Sequence, residues 1–466
     1  MIPADSRRAA PRRGELTPAQ HALIRRQLAM IPVYIWVVYS WMHVLVRIPL
    51  DEPVRDFAHF YTQGVIAREH DAASLYDIDR MADVAQRVLP GHQRVVYPPV
   101  YGPQVSLLFR PLAMLPYVPA RHLWLAITLL LYGACTYAIW RVCPRLRDKP
   151  GTTALLLVAA PALHYVAGFL QVSVLGLVCV TLGILALRAN RPFLAGLALG
   201  ALAYKPPLAF GVGVVLGSAA LLEREALAHF QHWCSGRSSD RPEDGLKPVL
   251  YTQSKNAVAE RHDRRMAAGA IVAAIAQLAI GTLYWGPSIL PAYFAALTRL
   301  PEVTSAMEPN KYHMHSWRTF FDLLGFPGPI AFGAYVIASA ITLAGAVVCW
   351  LSRGPLALRF SAMLIATVLV DPHLYAYDLV LLIPAFLMLW DWILSVWPQA
   401  VGRWPLRRWP FNAVFLWLIY ICYLSPLFVT LADLGRIQLS PLLLGVLLLV
   451  TLGVLRGETW RLPAAT

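Results

Sequence analysis

The chain has 466 residues, of which 58% are hydrophobic and only 14% are charged, and its mean hydropathy is +0.54. This composition excludes a soluble globular protein, because the repeated apolar runs are close to the length that crosses a bilayer. The formal net charge of +14 does not imply a nucleic-acid partner, because basic loops of membrane proteins lie at the anionic inner leaflet.

The six cysteines indicate neither a disulfide framework nor a zinc site. All but Cys234 lie in or at the ends of apolar segments, and none has the spacing of metal ligands. We therefore expect an all-α polytopic membrane protein without disulfide or metal cross-links.

The N-terminal segment predicts the orientation of the chain. Residues 1–27 are rich in arginine and precede a first span at about Leu28–Val46, which has no small-residue cleavage pattern. By the positive-inside rule this basic tail is cytoplasmic, so the polar stretch 50–97 is the first outer loop. The loop contains two plausible amphipathic helices, Phe57–Arg68 and Ile78–Val88, that could lie on the membrane surface.

The next segment, 98–116, is apolar but is interrupted by several prolines and by Arg110. If it crossed the membrane, the basic run Arg141–Lys149 would fall outside, against the positive-inside rule. We therefore expect a re-entrant or interfacial segment here, and a second span at about Val118–Trp140.

The remaining apolar segments alternate across the membrane and bring the total to roughly twelve spans, with both termini cytoplasmic. One transmembrane domain would then cover residues 28–456, followed by a cytoplasmic tail at 457–466. A polar cytoplasmic insert is expected at 223–265 and an outer loop at 287–329. The insert is rich in serine, histidine and charge, which indicates poor order. The later spans are expected at about 152–167, 172–187, 192–203, 208–222, 266–285, 330–351, 356–370, 375–396, 413–431 and 442–455.

This topology places an unusual set of polar residues on one side of the membrane. Each lies near the end of a span or in an outer loop, and ionisable residues next to hydrocarbon are costly and commonly functional. The set is Asp56, His59, Gln171, Lys205, His313, His315, Arg318, Asp371, His373 and Asp378. Their convergence predicts a reaction site at the outer face.

Asp56, in the stretch Asp-Phe-Ala-His-Phe-Tyr, has two interpretations. It could cap the helix that follows, by accepting hydrogen bonds from free backbone amides. It could instead be a general base, since aromatic neighbours and partial desolvation shift a carboxylate toward the working pH range. The local sequence fits both equally.

Lys205 follows a largely apolar run and precedes two prolines. It could be a snorkelling lysine at a helix end, or a clamp for a lipid phosphate at a proline-broken junction. Asp378 lies inside a later apolar run and needs a partner, for which Lys205 or an arginine is the natural candidate. The turn Gly168–Ser173, which contains Gln171, fits a plain polar hairpin tip.

The outer stretch around His315 offers hydrogen-bond donors and aromatic rings. His313 and His315 are two residues apart and do not share a helix face, so a metal pair is not expected. With Arg318 and Trp317 they fit a site for phosphate or sugar. In the later turn before Asp378, Asp371 could be a simple cap.

Several short motifs occur in order over most of the chain. They are Asp-Phe-x-x-Phe-Tyr at 56–61, Leu-Tyr-Asp at 75–77, Tyr-Pro-Pro at 97–99, Arg-Pro-Leu-Ala at 110–113, Leu-Pro at 115–116, Gln-Val-Ser at 171–173, Arg-Pro-Phe-Leu-Ala-Gly at 191–196, Tyr-Lys-Pro at 204–206 and Tyr-Asp-Leu-Val at 377–380. The ordered set resembles glycosyltransferase family 87, which contains polyprenyl-phosphate-mannose-dependent mannosyltransferases of the GT-C class. The family usually has Gly-Gln-x-Asn and Lys-Pro-Gln, whereas this chain has Ser173 and Pro207 at the last positions of these motifs.

The resemblance implies a GT-C-like fold with a long first outer loop. It also implies an inverting transfer of mannose from a polyprenyl-phosphate donor to a hydroxyl of a lipid or glycan acceptor, at the outer face of the plasma membrane. Asp56 matches the family's first-loop aspartate and is the expected base. We expect no metal or other cofactor, because cations already in place can stabilise the leaving phosphate. The residues expected to bind the donor phosphate or the substrates are Lys205, His315, Arg318, Gln171, His59, Tyr97, His373 and Asp378.

Two other functions would fit a polytopic membrane protein with these residues. A lipid or sugar transporter, or a flippase, would also place charges near membrane breaks, but it should show repeat symmetry or charges along a pathway. No strong internal repeat is visible. A non-catalytic assembly subunit would need no base at Asp56. The sequence leaves the identity of the sugar, the acceptor and the oligomeric state open.

Overall fold

A computed structural model describes residues 31–44, 55–92, 94–96, 98, 100–222, 247–307, 311–352, 354–400 and 411–459. These described ranges are helical and contain no β-strand, although an isolated antiparallel bridge joins Met314 and Tyr375. The all-α prediction is therefore confirmed for them. The N-terminal tail, and most of the C-terminal tail, lie outside the described residues.

The first part of the chain forms helices α1 (Ile31–Val44), α2 (Arg55–Glu69), α3 (Ala72–Leu75) and α4 (Ile78–Val88). Helix α4 begins and ends where the sequence predicts. It is amphipathic, with Met81 and Ala85 on its buried face and Asp83 and Arg87 exposed.

Helix α2, which contains Asp56, differs from the expected surface helix. Every residue from Phe57 to Ala67 is buried within the protein. The end of the proline-rich segment 98–116 covers it, because Tyr61 donates a hydrogen bond to the Leu115 carbonyl (2.9 Å) and Arg68 donates to the Ala113 carbonyl (2.6 Å). Helix α2 is therefore part of the core of the protein, and its position relative to the membrane surface stays a prediction.

The proline-rich segment at 98–116 contains only short helices. Helix α5 (Pro103–Phe109) has seven residues, and a 3-10 turn follows at Leu112–Met114. A seven-residue helix extends roughly 10 Å, which is well short of the roughly 30 Å hydrocarbon core. These lengths agree with a segment that does not cross the membrane, and its re-entrant or interfacial placement stays a prediction.

Each of the twelve predicted spans corresponds to a helix or to a bent pair of helices. The helices from α6 onward are α6 (Tyr117–Arg141), α7 (Pro144–Arg147), α8 (Pro150–Val158), α9 (Pro161–Phe169), α10 (Ser173–Arg188), α11 (Pro192–Gly200), α12 (Pro206–Leu221), α13 (Lys247–Trp285), α14 (Ile289–Met307), α15 (Trp317–Leu323), α16 (Gly328–Leu351), α17 (Leu356–Val370), α18 (Ile383–Ala400), α19 (Phe411–Tyr423), α20 (Val429–Gly435) and α21 (Ser440–Thr459). Further 3-10 turns lie at Pro90–His92, Ala201–Tyr204, Lys311–His313, Ala376–Leu382 and Ser425–Phe428.

Within the described ranges, four helices are long and apolar enough to cross a membrane. They are Tyr117–Arg141, His262–Trp285, Gly328–Leu351 and Ala376–Val396. The count is six if α8 with α9, bent by 42°, and the pair Ala413–Tyr423 and Ser425–Gly435, bent by 60°, are one span each. The other predicted spans are shorter apolar helices. These helices indicate a membrane protein, and the total of twelve crossings stays a prediction.

Two predicted loops contain helices. The expected outer loop at 287–329 contains α14 and α15. The polar insert expected to be poorly ordered at 223–265 is helical from Lys247, where the 39-residue α13 begins and then continues as the apolar span to Trp285. Residues 223–246 lie outside the described ranges, and poor order of the insert stays a prediction.

Candidate functional site

Four of the predicted site residues come together at one end of the helix bundle. Asp56 lies on α2, Gln171 on the turn between α9 and α10, Lys205 at the start of α12, and Asp378 in the 3-10 turn before α18. Hydrogen bonds join them as two pairs, Asp56 with Gln171 and Lys205 with Asp378. The predicted convergence of these four residues is therefore observed in the fold.

The amide of Gln171 orients the carboxylate of Asp56. Its Nε2 donates to Oδ2 of Asp56 at 3.0 Å, while its Oε1 accepts from the backbone N–H of Val172. Asp56 is partly exposed and lies inside the first turn of α2, whereas an N-cap residue precedes its helix. Asp56 therefore does not occupy the capping position of α2.

The turn that carries Gln171 is held in an uncommon backbone conformation. Leu170 ends α9 with a φ of 55°, in the left-handed region that costs a non-glycine residue about 1–2 kcal/mol. The Leu170 side chain is fully buried, and its carbonyl accepts a hydrogen bond from the indole of Trp124 at 2.9 Å. This packing keeps the turn tight, so that Gln171 is directed to α2. The turn is therefore more than a polar hairpin tip.

Asp378 is fully buried and both of its oxygens accept hydrogen bonds. Oδ1 accepts from the Ser173 hydroxyl at 2.5 Å. Oδ2 accepts from Nζ of Lys205 at 2.5 Å and from the backbone N–H of Tyr375 at 3.2 Å. A buried carboxylate is costly unless it is hydrogen-bonded and paired with a cation. These three contacts meet that need for both oxygens of Asp378. Ser173 takes part in the site although the sequence interpretation gave it no role.

Lys205 is positioned by its own short sequence. A residue before proline is restricted to extended backbone, and Lys205 has a φ of −124° and a ψ of 90° before Pro206 opens α12. Its side chain is only 11% exposed and pairs with Asp378, as predicted. Its ammonium also lies 5.5 Å from the centre of the Tyr377 ring. Lys205 therefore does not snorkel into solvent.

Two tyrosines of the site were missed by sequence reasoning. The hydroxyl of Tyr101 is hydrogen-bonded to Gln171, and burial, with Asp378 and Asp56 nearby, raises the pKa of Tyr101 well above its usual range. Tyr377 lies under Lys205, and Asp56 and Asp378 are both close enough to act on its hydroxyl. Two features of the sequence could have indicated them: Tyr101 lies in the proline-rich segment 98–116, and Tyr377 directly precedes Asp378.

Asp371 is a further carboxylate of the site, which the sequence placed in the outer-face set and interpreted as a cap. It is fully buried in the turn after α17, where Oδ1 accepts from the backbone N–H of His373 at 2.8 Å. Burial raises the pKa of Asp371 to about 6, with an opposing effect of Lys205. His373 is thus held by its backbone next to the cluster.

His315 lies against the same turn but does not supply a charge. Its backbone N–H donates to the Leu374 carbonyl at 2.8 Å, and its Nδ1 lies 2.6 Å from the Ser440 hydroxyl. Burial, and then the neighbouring His313, lower the pKa of His315 to about 3. The ring is therefore neutral at neutral pH, which corrects the expectation of a cation at this position. It can still donate or accept hydrogen bonds.

The remaining predicted site residues are more distant or are not described. Arg318 lies on α15, where its side chain is 34% exposed and its Nε is 3.9 Å from Asp322. His59 is buried, with its ring 5.9 Å from that of Tyr101, and burial lowers the pKa of His59 to about 3. Tyr97 lies outside the described residues.

Within the described part of the chain, no three His, Cys, Asp or Glu side chains are grouped so that they could hold a metal ion. The expectation of a metal-free reaction itself stays a prediction, because the chemistry of the substrates decides it.

Comparison with known proteins agrees with the resemblance seen in the motifs. Residues 100–229 match the family model of glycosyltransferase family 87. The matched segment contains Gln171 and Lys205, whereas Asp56 and Asp378 lie outside it. No curated protein and no solved structure matches the chain.

Proposed function

We propose that this protein is an integral membrane glycosyltransferase of the GT-C class that moves mannose from a polyprenyl-phosphate donor to a hydroxyl of a lipid or glycan acceptor. The family match over residues 100–229 supports the reaction class. The single observation that carries the proposal is the hydrogen bond from Gln171 to Asp56, made beside the Lys205–Asp378 ion pair. An oriented carboxylate next to an oriented ammonium is what sugar transfer from a phosphate requires.

The proposed reaction is a single displacement at the anomeric carbon. Asp56 takes the proton of the acceptor hydroxyl as the acceptor oxygen bonds to the anomeric carbon. The bond from that carbon to the phosphate oxygen breaks on the opposite side, so the configuration is inverted. The state between them resembles an oxocarbenium ion. Gln171 keeps Oδ2 of Asp56 in a defined direction, and it thereby directs the other oxygen toward the hydroxyl.

The leaving phosphate gains one negative charge as the bond breaks. Lys205 would stabilise this charge, because an ammonium has three N–H donors and Asp378 needs only one of them. Asp378 and the Tyr377 ring hold the ammonium in place before the donor arrives. Such preorganisation lowers the barrier without a divalent metal, so we propose no cofactor.

The other predicted residues would bind substrate by hydrogen bonds. His315 and His59 are neutral, so they would contact hydroxyl or phosphate oxygens without adding charge. His373 and Arg318 are assigned to the rim of the same site, and Tyr97 stays a predicted substrate-binding residue. Arg318 pairs only loosely with Asp322, so its guanidinium has donors left for an anion.

The proposed location is the plasma membrane, with the active site outside and both termini in the cytoplasm. The distribution of basic residues supports this orientation. The donor would be supplied from the membrane, since its polyprenyl chain partitions into hydrocarbon. Membrane lipids are the other expected partners, and we expect no nucleic-acid partner.

The test is the substitution Asp56→Asn in the purified full chain, supplied with farnesyl-phosphate-mannose and a panel of mannoside acceptors. Loss of a general base is expected to reduce the rate of transfer roughly 10²- to 10⁴-fold, with donor binding retained. The matched control is Asp79→Asn, whose side chain is 83% exposed on α4. Unchanged turnover in Asp56→Asn would exclude Asp56 as the base. Movement of the lipid across the bilayer of vesicles that contain the protein, without sugar transfer, would instead indicate a transporter.

A further inference from the structure

Asp371 is a buried carboxylate that the proposed reaction does not use. It is fully buried, and Oδ1 accepts one hydrogen bond from the backbone of His373. Among the described residues, Oδ2 has no hydrogen-bond partner. A buried carboxylate oxygen without a donor is costly as an anion, so the structure calls for an explanation of this atom.

The groups around Asp371 come from several elements of the fold. Lys205 acts on it from the start of α12, Asp378 from the 3-10 turn before α18, and His373 from its own turn. Tyr101 is near enough to interact with it from the segment before α5. On α16, Tyr335 donates to the Val370 carbonyl at 2.8 Å, and Asp371 and Arg318 of α15 are both near enough to interact with it.

The charges of this cluster do not balance when both carboxylates are ionised. Among the buried groups, Lys205 supplies one positive charge, whereas Asp378 and Asp371 supply two negative charges; Asp56 and Arg318 are partly exposed, so solvent screens their charges. Asp378 accepts three hydrogen bonds and holds the ammonium at 2.5 Å, so it is the better stabilised anion. Asp371 accepts one hydrogen bond. A proton added to the cluster will therefore bind to Asp371, on its unpartnered Oδ2.

We propose that Asp371 takes up one proton when the phosphate of the donor enters the site, so that donor binding is coupled to proton uptake. This inference rests on the proposed function, in which the phosphate binds at Lys205. The phosphodiester brings one more negative charge to a buried site that already carries an excess of one. A proton from solvent bound to Oδ2 removes that excess, and no bond of the donor changes in this step. Asp371 acts by balancing the charge beside Lys205, which binds the phosphate, and it is therefore a positioning residue.

The burial of Asp371 makes this proton exchange feasible near neutrality. Its pKa is raised to about 6 before any phosphate is present. A neighbouring anion raises the pKa of a carboxyl further, and this moves the protonated form into the working pH range. The same coupling would help the later step, in which the leaving phosphate gains a second charge.

The experiment measures proton uptake on binding of a phosphodiester that cannot react. The probe is farnesyl methyl phosphate, which has no titrating group near neutrality, so any proton taken up is bound by the protein. Binding to the full chain in lipid nanodiscs is measured calorimetrically at pH 7 in buffers of different ionisation enthalpy. The wild type is expected to take up about 0.5 proton or more per phosphate bound.

The variants separate Asp371 from other groups. Asp371→Asn should bind the probe with almost no proton uptake, and its affinity should lose the pH dependence seen in the wild type. Asp371→Glu should keep the uptake, and Asp433→Asn, at an exposed aspartate, should behave as the wild type. Proton uptake that persists in Asp371→Asn, or the absence of proton uptake in the wild type, would overturn this inference and leave the proposed function unaffected. Failure of the wild type to bind the probe would refute the phosphate site of the proposed function, and this inference with it.

Discussion

Lys205 and Asp378 form a buried ion pair, with Nζ 2.5 Å from Oδ2, although 173 residues separate them in the chain. Asp378 is fully buried and the Lys205 side chain is 11% exposed. The Ser173 hydroxyl bonds the second carboxylate oxygen, which connects the pair to the turn that carries Gln171. The pair therefore joins the starts of α10 and α12 to the 3-10 turn that precedes α18, at the candidate site.

Removing one member of this pair should destabilise the protein. Lys205→Met or Asp378→Leu alone leaves a buried charge without its partner, which costs about 3–5 kcal/mol. The double variant should cost less than the sum, because neither member of the pair is left without the other. The measurement is the free energy of unfolding of the purified full chain in detergent.

The exposed ion pair between Arg87 and Glu69 is the control for this experiment. Its side chains are 57% and 32% exposed, so Glu69→Gln should change the free energy of unfolding by less than about 1 kcal/mol. If Glu69→Gln and Asp378→Leu changed the free energy of unfolding equally, the buried pair would contribute no more to stability than an exposed one.

Gln171 should affect turnover more than folding. Gln171→Ala removes the donor that orients Asp56, and a poorly positioned base lowers kcat roughly 10- to 100-fold. Gln171→Glu should be worse, because it brings a second carboxylate next to Asp56. The measurement is kcat and the KM for the donor, with Gln86→Ala on the exposed face of α4 as control. A rise in the KM for the donor at constant kcat would contradict the orienting role.

Acid should destabilise the protein through two buried histidines. The pKa values of His59 and His315 are lowered by burial to about 3, from 6.5 for the free side chain. Below a pH of about 6.5 the unfolded chain binds protons that the folded protein excludes. Stability therefore falls from this pH toward about 3, by about 1.4 kcal/mol per pH unit for each histidine.

Asp371 should oppose this trend over a narrower range. Its folded-state pKa is raised to about 6, so its contribution to stability is fully present below about 3.8 and is lost as the pH rises to about 6. The measurement is Tm against pH for the wild type, His59→Gln, His315→Gln and the exposed control His122→Gln. If His59→Gln and His315→Gln left the dependence of Tm on pH unchanged, these two histidines would not be the cause of the acid destabilisation.

Helices α11 and α13 should be sensitive to any side chain added where they meet. A Cβ on Gly196 would lie 1.9 Å from the Met266 carbonyl oxygen, a distance that forces the backbones apart. Gly196→Ala should therefore lower Tm and the yield of folded protein. Gly213→Ala on α12 meets nothing within 4 Å and should raise stability by about 0.5–1 kcal/mol, because alanine favours helix. If both variants had the same Tm, the close contact would be of no consequence.

Much of the helical architecture was predictable because its signals are local. Helix α17 and helix α4 begin and end where the sequence predicts, since apolar length, proline and charge act over a few residues. Burial of α2 was not predictable, because its polar residues suggested a surface helix. The segments after Tyr97 and the end of α13 cover it, and these are distant in sequence.

The sequence by itself determined the class of the protein, the positions of its apolar helices and a short set of candidate residues that includes Asp56 and Lys205. Hydrophobicity and backbone restrictions are properties of neighbouring residues, so they can be read along the chain. Only the tertiary structure decided that Asp378 is the partner of Lys205, that Gln171 orients Asp56, and that Asp371 is buried beside them. The partner of a buried charge depends on which helix ends meet in space, and packing over the whole bundle determines that.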